Sequence, residues 1–323
     1  MNKLTEEQND ILTAELCGGI GNQLFQIATA YAYSKRTMKK LCFRKFQFNG
    51  CRQGSHPTKY YNNLFEKLNF IDNIVNINIV KEKGFSYQDI IDDIHKFANK
   101  NISISGYFQS ENYFKQYKKE IVNLFTPSIC KENTLRDIFV EQMGLQRNIA
   151  IVNFLKLNSN IFNNFPELLS NIDNFVFIGV RRGDYITYAH CHNPCGMDYY
   201  NKAINLFNSS EHNTTYYIMS DDLEWCKEKF ISDNERSRYI PSESHSVCEY
   251  KFLDIKDDLE ALLVITLFKN YIIGNSSFHW WGSYLSIYED IKIVAPDKWV
   301  NEAGYQSIYR DEMCVIERLV EID

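Results

Sequence analysis

At 323 residues the chain is too long for one hydrophobic core, and its 45% apolar and 24% charged residues suit a soluble globular protein of two domains. A net charge of −6 argues against a polyanionic partner, so nucleic acid is excluded as a target. Nine scattered cysteines without a CxxC pair form no disulfide framework, the polar start MNKLTEEQND has no leader pattern, and no apolar run is long enough for a transmembrane segment. A reduced, cytoplasmic protein is expected.

Ile11–Leu16 reads as a short strand and Gly18-Gly19-Ile20-Gly21 as a turn. Asn22 then opens a helix with Leu24, Ile27, Ala28 and Tyr31 on one face. A short strand at Leu41–Arg44 follows, and the strand–helix–strand order suggests a parallel α/β layer. Leu155–Asn174 is rich in Asn and Ser and has no period, which places a domain boundary there, between residues 1–165 and 166–323. Beyond it strands are expected at Phe175–Val180, Thr215–Met219, Tyr271–Gly274 and Ile291–Ala295. Helices are expected at Asp198–Phe207, Leu223–Phe230, Asp258–Lys269 and Phe278–Ile287. Such alternation builds a doubly wound sheet whose ligand site lies at the carboxyl ends of its strands.

The chemistry-bearing residues cluster at those ends. The strand 175–180 delivers Arg181, Arg182 and Asp184 together. Arginine suits a diphosphate because its planar fork engages two oxygens; the plain alternative is a structural Arg–Asp pair. The strand 215–219 runs into Ser220, Asp221 and Asp222, which can cap the next helix, meet a base or ribose, or bind a metal. Being adjacent, the two carboxylates should point apart. Asn275, Ser276 and Ser277 stand at a strand-to-helix turn, a natural anion site, although an N-cap followed by core aromatics also accounts for them. His279 in this Trp-rich stretch reads as packed or hydrogen-bonded. His190, Cys191, His192 and Cys195 lack a second ligand pair at zinc-finger spacing, so no metal site is expected. The glycine turn at 18–21 fits neither the GxGxxG fingerprint nor a P-loop.

Taken together and in this order, these segments resemble the α-1,2-fucosyltransferase family. The match runs through CGGIGNQLFQIATAYAYS from Cys17, GYFQSENYF from Gly106, VRRGDY at 180–185, Asp198-Tyr199-Tyr200, YYIMSDDLEWCK at 216–227 and DLEALLVITLFKNYIIGNSSFHWWGSYL at 258–285. The resemblance implies an α/β fold of GT-B type, two facing Rossmann-like doubly wound domains with the donor in the second. It implies GDP-fucose as donor, a glycan acceptor, inversion at the anomeric carbon, and no metal or other cofactor. Arg181 and Asp184 are the implied catalytic residues, Arg181 gripping the diphosphate and Asp184 holding an arginine or serving as base. Gly19, Gly21, Asn22, Gln23, Arg182, Asp221, Asp222, Asn275, Ser276, Ser277 and Phe278 form the implied donor-binding set. Either Asp221 or Asp222 would meet guanine.

Two positions depart from the family pattern. Gly179 stands where relatives carry histidine, and His279 where many carry serine. The first departure suggests vacant space beside the nucleotide, and hence that Gly179→His would tighten GDP. Two rival readings are an enzyme using another nucleotide sugar and a non-catalytic glycan-binding protein on the same scaffold.

Overall fold

The computed structural model describes residues 10–45, 56–127, 172–208, 213–237, 248–286, 288–301 and 305–318. The chain forms two compact units, Met1–Ile129 with Gly304–Arg310, and Cys130–Ala303 with Asp311–Asp323. The boundary expected at 165/166 lies outside the described residues. Among the described residues no helix is long and apolar enough to cross a membrane.

The first unit contains β1 (Ile11–Ala14), α1 (Ile20–Thr37), β2 (Lys40–Leu41), β3 (Phe43–Arg44), β4 (Phe70–Ile71), β5 (Ile77–Lys81), α2 (Ile91–His95), β6 (Asn101–Ser105) and α3 (Lys118–Leu124). A parallel sheet runs in the order β2-β1-β6-β5, and β3 pairs with β4 separately. The single strand expected at 41–44 is therefore two, divided at Cys42. The Cys42 amide still donates to Leu12 O at 3.2 Å, whereas that of Phe43 donates to Asn69 O at 2.8 Å, so the chain changes sheets within one residue. Helix α1 starts two residues before the expected Asn22, from an extended Gly19 N-cap. Gly18 makes that entry possible: its φ is +74°, and a Cβ there would lie 2.6 Å from Asn22 Nδ2.

The second unit contains β7 (Phe175–Val180), α4 (Gly183–Thr187), α5 (Ala189–His192), α6 (Met197–Asn205), β8 (Thr215–Ser220), α7 (Leu223–Ser237), β9 (Glu249–Leu253), α8 (Asp258–Ile265), β10 (Asn270–Ile273), α9 (Ser277–Tyr284), β11 (Lys292–Pro296) and β12 (Met313–Ile316). Its six strands are all parallel, in the order β12-β11-β10-β7-β8-β9. Counted from β7 as the first strand this is 3-2-1-4-5-6, the Rossmann order, and the direction of winding switches between β7 and β10.

Both faces of the sheet are covered, which explains the unbroken apolar run of β7. Val176, Ile178 and Val180 pack on Tyr199 and Tyr200 of α6 and on Cys226 and Phe230 of α7. Phe177 faces the other way, with its ring 5.6 Å from Phe268 and 5.8 Å from His279. Each such buried side chain contributes about 1.5–3 kcal/mol through removal of apolar surface from water.

Candidate active site

Strands β7 and β10 are hydrogen-bonded neighbours, Gly179 lying opposite Ile273, and Gly274 N donates to Gly179 O at 2.9 Å. Arg181 and the turn 274–277 therefore leave the sheet side by side, at the carboxyl ends of the two strands that flank the switch point. Open α/β sheets bind their ligands in that crevice.

The two arginines have different surroundings. Arg182 is the more enclosed, its side chain 17% exposed against 34% for Arg181. Its Nε donates to Asp222 Oδ2 at 3.2 Å, and its guanidinium carbon sits 4.0 Å from the centre of the Trp225 ring. Those contacts fix Arg182 as a support. Arg181 is the more accessible of the two. Its Nη2 is paired with Asp184 and its Nη1 lies 2.8 Å from Asp221 Oδ2, which leaves N–H donors over for a ligand. Tyr185 lies under it, the guanidinium carbon 5.2 Å from the ring centre, and donates its hydroxyl to Asn275 O at 3.1 Å. Burial pushes the Tyr185 phenol up to about 12, so it stays neutral.

The adjacent carboxylates do part, each to its own arginine. Asp221 takes Arg181 and the Arg182 amide, the latter at 2.9 Å. Asp222 takes Arg182 and accepts from Trp225 N at 3.2 Å, in the first turn of α7. Gly183 permits this approach, since a Cβ there would lie 2.3 Å from Asp221 Oδ2. Among the described residues no three His, Cys, Asp or Glu side chains gather as a metal site. In the His190–Cys195 stretch, His192 stacks on Tyr185 with ring centres 4.3 Å apart, and Cys195 is buried with its thiol pushed up to about 11 by burial.

In the 274–277 turn, Ser276 is the extended N-cap of α9 without a side-chain cap bond, so the first-turn amides face the crevice end of the helix without a capping side chain. Ser277 and Phe278 open that turn, both half-buried. Asn275 behaves differently. It is 1% exposed, and its side-chain amide donates to His192 O and, at 3.0 Å, to Trp299 O. Its side chain thus pins loops together.

The vacant space expected at Gly179 does not exist. A Cβ built there would lie 2.5 Å from Cγ and Nδ1 of His279, whose ring fills the position. Larger side chains at 179 are excluded by a contact that α9 makes from the far side of the sequence, so Gly179→His has no room and should not tighten GDP by itself.

Gly19, Gly21, Asn22 and Gln23 lie in the first unit, which the second-unit cluster does not include. There the glycine turn after β1 and the loop after β6 leave adjacent strands. Gln109 Nε2 donates to Asn22 Oδ1 at 2.7 Å, Gln26 Nε2 to Gly106 O at 3.1 Å, and buried Gln23 to Gly18 O at 3.0 Å. Glu82 accepts the amides of Tyr107 and Phe108 at 2.8 and 2.9 Å, and burial holds its carboxyl above the usual range. Gln23 and Gln26 are thus braces of the loop, and Asn22 with Gln109 forms its polar surface.

Sequence reasoning missed Trp225, Tyr185 and the Gly179–His279 contact as parts of this site. Trp225 had a signal, its place three residues after Asp222 at a helix start. The other two depend on tertiary contacts.

Among curated proteins, the chain is 26% identical over 299 residues to the O-antigen biosynthesis glycosyltransferase WbnK of Escherichia coli, covering 88% of this chain and 93% of that one. It is also 26% identical over 307 residues to an alpha-1,2-colitosyltransferase of Escherichia coli, covering 90% and 92%. Among solved structures it is similar to a mutant of Arabidopsis thaliana FUT1 in complex with GDP, at 12% identity and TM-score 0.45 over 88% of this chain and 70% of that one. It is also similar to the fucosyltransferase NodZ from Bradyrhizobium, at 10% identity and TM-score 0.43 over 86% and 94%. The sequence profile of glycosyl transferase family 11 matches residues 11–317, nearly the full length. With that match over both parallel α/β units and the arginine–carboxylate cluster at the switch point, the chain belongs to glycosyl transferase family 11.

Proposed function

We propose that this glycosyltransferase moves fucose from GDP-β-L-fucose to a sugar hydroxyl, the 2-OH of a galactose-type acceptor, with inversion and without a metal. One observation carries the reading. Arg181 and the uncapped first turn of α9 emerge from the two neighbouring strands at the switch point, a pairing of guanidinium and helix amides suited to a diphosphate.

Departure of GDP leaves negative charge on the diphosphate and positive charge on the sugar. Arg181 and the Ser277 and Phe278 amides stabilise the first where it develops. Asp184 and Asp221 hold the Arg181 fork in place before the donor arrives. Asp184 is the nearest carboxylate for the acceptor proton, but its contact with Arg181 makes holding the guanidinium its first role. Neutralisation by arginine removes the need for a divalent cation, so transfer should survive EDTA. Loss of activity on chelation, restored by Mg²⁺ or Mn²⁺, would refute the arginine clamp.

A second donor reading is favoured by the name of one relative, a colitosyltransferase. Colitose is fucose without its 3-hydroxyl, so a site that ignores that hydroxyl accepts either sugar. A donor screen with purified protein decides among the readings: GDP-fucose, its 3-deoxy analogue, and UDP- and dTDP-sugars, scored for transfer and hydrolysis. Turnover of GDP-fucose is expected. Turnover of UDP- or dTDP-sugars alone overturns the nucleotide assignment, and binding of glycans without any turnover favours the non-catalytic rival.

A further inference from the structure

His279 is the third residue of α9, beside the same turn. The atoms that a Cβ at Gly179 would strike are Cγ, Nδ1 and Cε1, at 2.5, 2.5 and 2.8 Å. Such near-equal distances put that point over the face of the imidazole, so the strand packs on the ring's face, and of the two ring nitrogens only Nδ1 is a buried atom without a partner. The side chain is 4% exposed. Burial, and then the Arg181 charge, hold the ring's pKa down at about 3, so it is neutral at any physiological pH.

A neutral imidazole carries one N–H and one lone pair. A sealed position without a partner is better given to the lone pair, because a buried N–H left without an acceptor is the rarer arrangement in folded proteins. The proton then sits on Nε2. Phe177 and Phe278, with ring centres 5.8 and 5.9 Å away, would pack equally well on an apolar side chain. Packing alone thus gives no reason for a polar ring whose buried Nδ1 goes unmet. Proximity to Arg181 at a diphosphate site does give one.

We propose that His279 is a donor-binding residue, its Nε2–H donating to an oxygen of the nucleotide diphosphate beside Arg181, and that Gly179 is glycine because it seats this ring. This rests on the reading of the crevice as a nucleotide-diphosphate site. The contact is a neutral donor to an anionic oxygen, which forms as the diphosphate enters and adds no charge to the crevice. Strand and helix act as one device: any side chain at 179 displaces the ring.

Calorimetric titration with GDP, alongside melting curves, tests it on the full chain. His279→Ser should weaken GDP about tenfold, in the range of one hydrogen bond to a charged group. His279→Gln, which keeps an N–H donor, should lose less than His279→Ser. Gly179→Ala should weaken GDP by a similar factor while His279 is present, and by almost nothing in the His279→Ser background, because the ring it displaces is gone. Wild-type GDP affinity in His279→Ser, or an equal loss from Gly179→Ala in both backgrounds, overturns the inference while the nucleotide reading stands. A wild type that binds no GDP overturns the nucleotide reading and this inference with it. If His279→Ser fails to fold, His279→Gln and Gly179→Ala still decide, since both binding wild-type GDP affinity excludes the contact.

Discussion

Replacing Arg181 with alanine removes a guanidinium on which Asp184 and Asp221 converge, and leaves two carboxylates near each other without their shared cation. Transfer should fall about 10²–10³-fold, equivalent to roughly 3–4 kcal/mol of lost transition-state stabilisation. Arg181→Lys should recover little of it, because an ammonium cannot span two phosphate oxygens as the planar fork does. Arg181 is a third exposed and both carboxylates are partly exposed, so water screens them and the melting temperature should drop by only a few degrees. Steady-state kinetics with melting curves separate the two effects, and an unfolded Arg181→Ala would mark the arginine as structural. His279 gives a prediction in pH. Its folded pKa lies near 3 and its unfolded value near 6.5, so below pH 6.5 the unfolded chain takes up a proton that the folded chain refuses. That destabilisation grows as pH falls through the window from 6.5 to 3, by at most about 1.4 kcal/mol per pH unit. Urea unfolding of wild type and His279→Ser at pH 7, 5.5 and 4.5 reads it directly. The stability difference should move in favour of the serine variant as pH falls, and a constant difference would show that the ring is not buried neutral.

Helices α8 and α9 approach so closely that a Cβ on Gly282 would lie 2.2 Å from Ile265 Cγ2. Gly282→Ala should therefore overpack the contact and cost about 1–3 kcal/mol, despite the better helix propensity of alanine. Adding Ile265→Ala removes the methyl that is struck, so the double variant should lose less than the sum of the two single ones; urea midpoints check this. Elements of this kind were legible where burial leaves a plain pattern. The strand β7 reads directly from FVFIGV because a parallel strand covered on both faces is apolar throughout, and β10 and β11 follow the same logic. The edge strands were not legible. In β9 Glu249 and Lys251 break the apolar pattern, and β12 is only four residues long with its middle two exposed, too short to stand out from its surroundings. The site divides in the same way. Arg181, Asp184, Asp221 and the Ser276 turn follow from strand ends, which the sequence marks. The Arg182–Trp225 stack and the ring of His279 on Gly179 depend on how α7 and α9 pack, and no local spacing encodes that.

Neither unit is a continuous stretch of chain. After β11 the backbone contributes residues 304–310 to the first unit, where the Ser307 hydroxyl accepts from Tyr87 N at 2.9 Å across 220 positions, and then returns to form β12 in the second. A chain ending at residue 303 would lose a segment from one unit and an outer strand from the other. Its melting temperature and its transfer activity should both fall well below those of the full chain, and an unaltered melt would show that the returning segment contributes little. The same return has a consequence for biosynthesis. Synthesis proceeds from the N-terminus, and domains ordinarily close in that order as they leave the ribosome. Here the first unit is the one that must wait, because its segment 304–310 is translated only after β11, and contacts across such separations form slowly. Brief proteolysis of stalled nascent chains should show the strands from β7 to β11 protected as soon as they emerge. The elements from β1 to α3 should become fully protected only once residue 310 has cleared the tunnel, so until then the first unit stays open to chaperones and proteases.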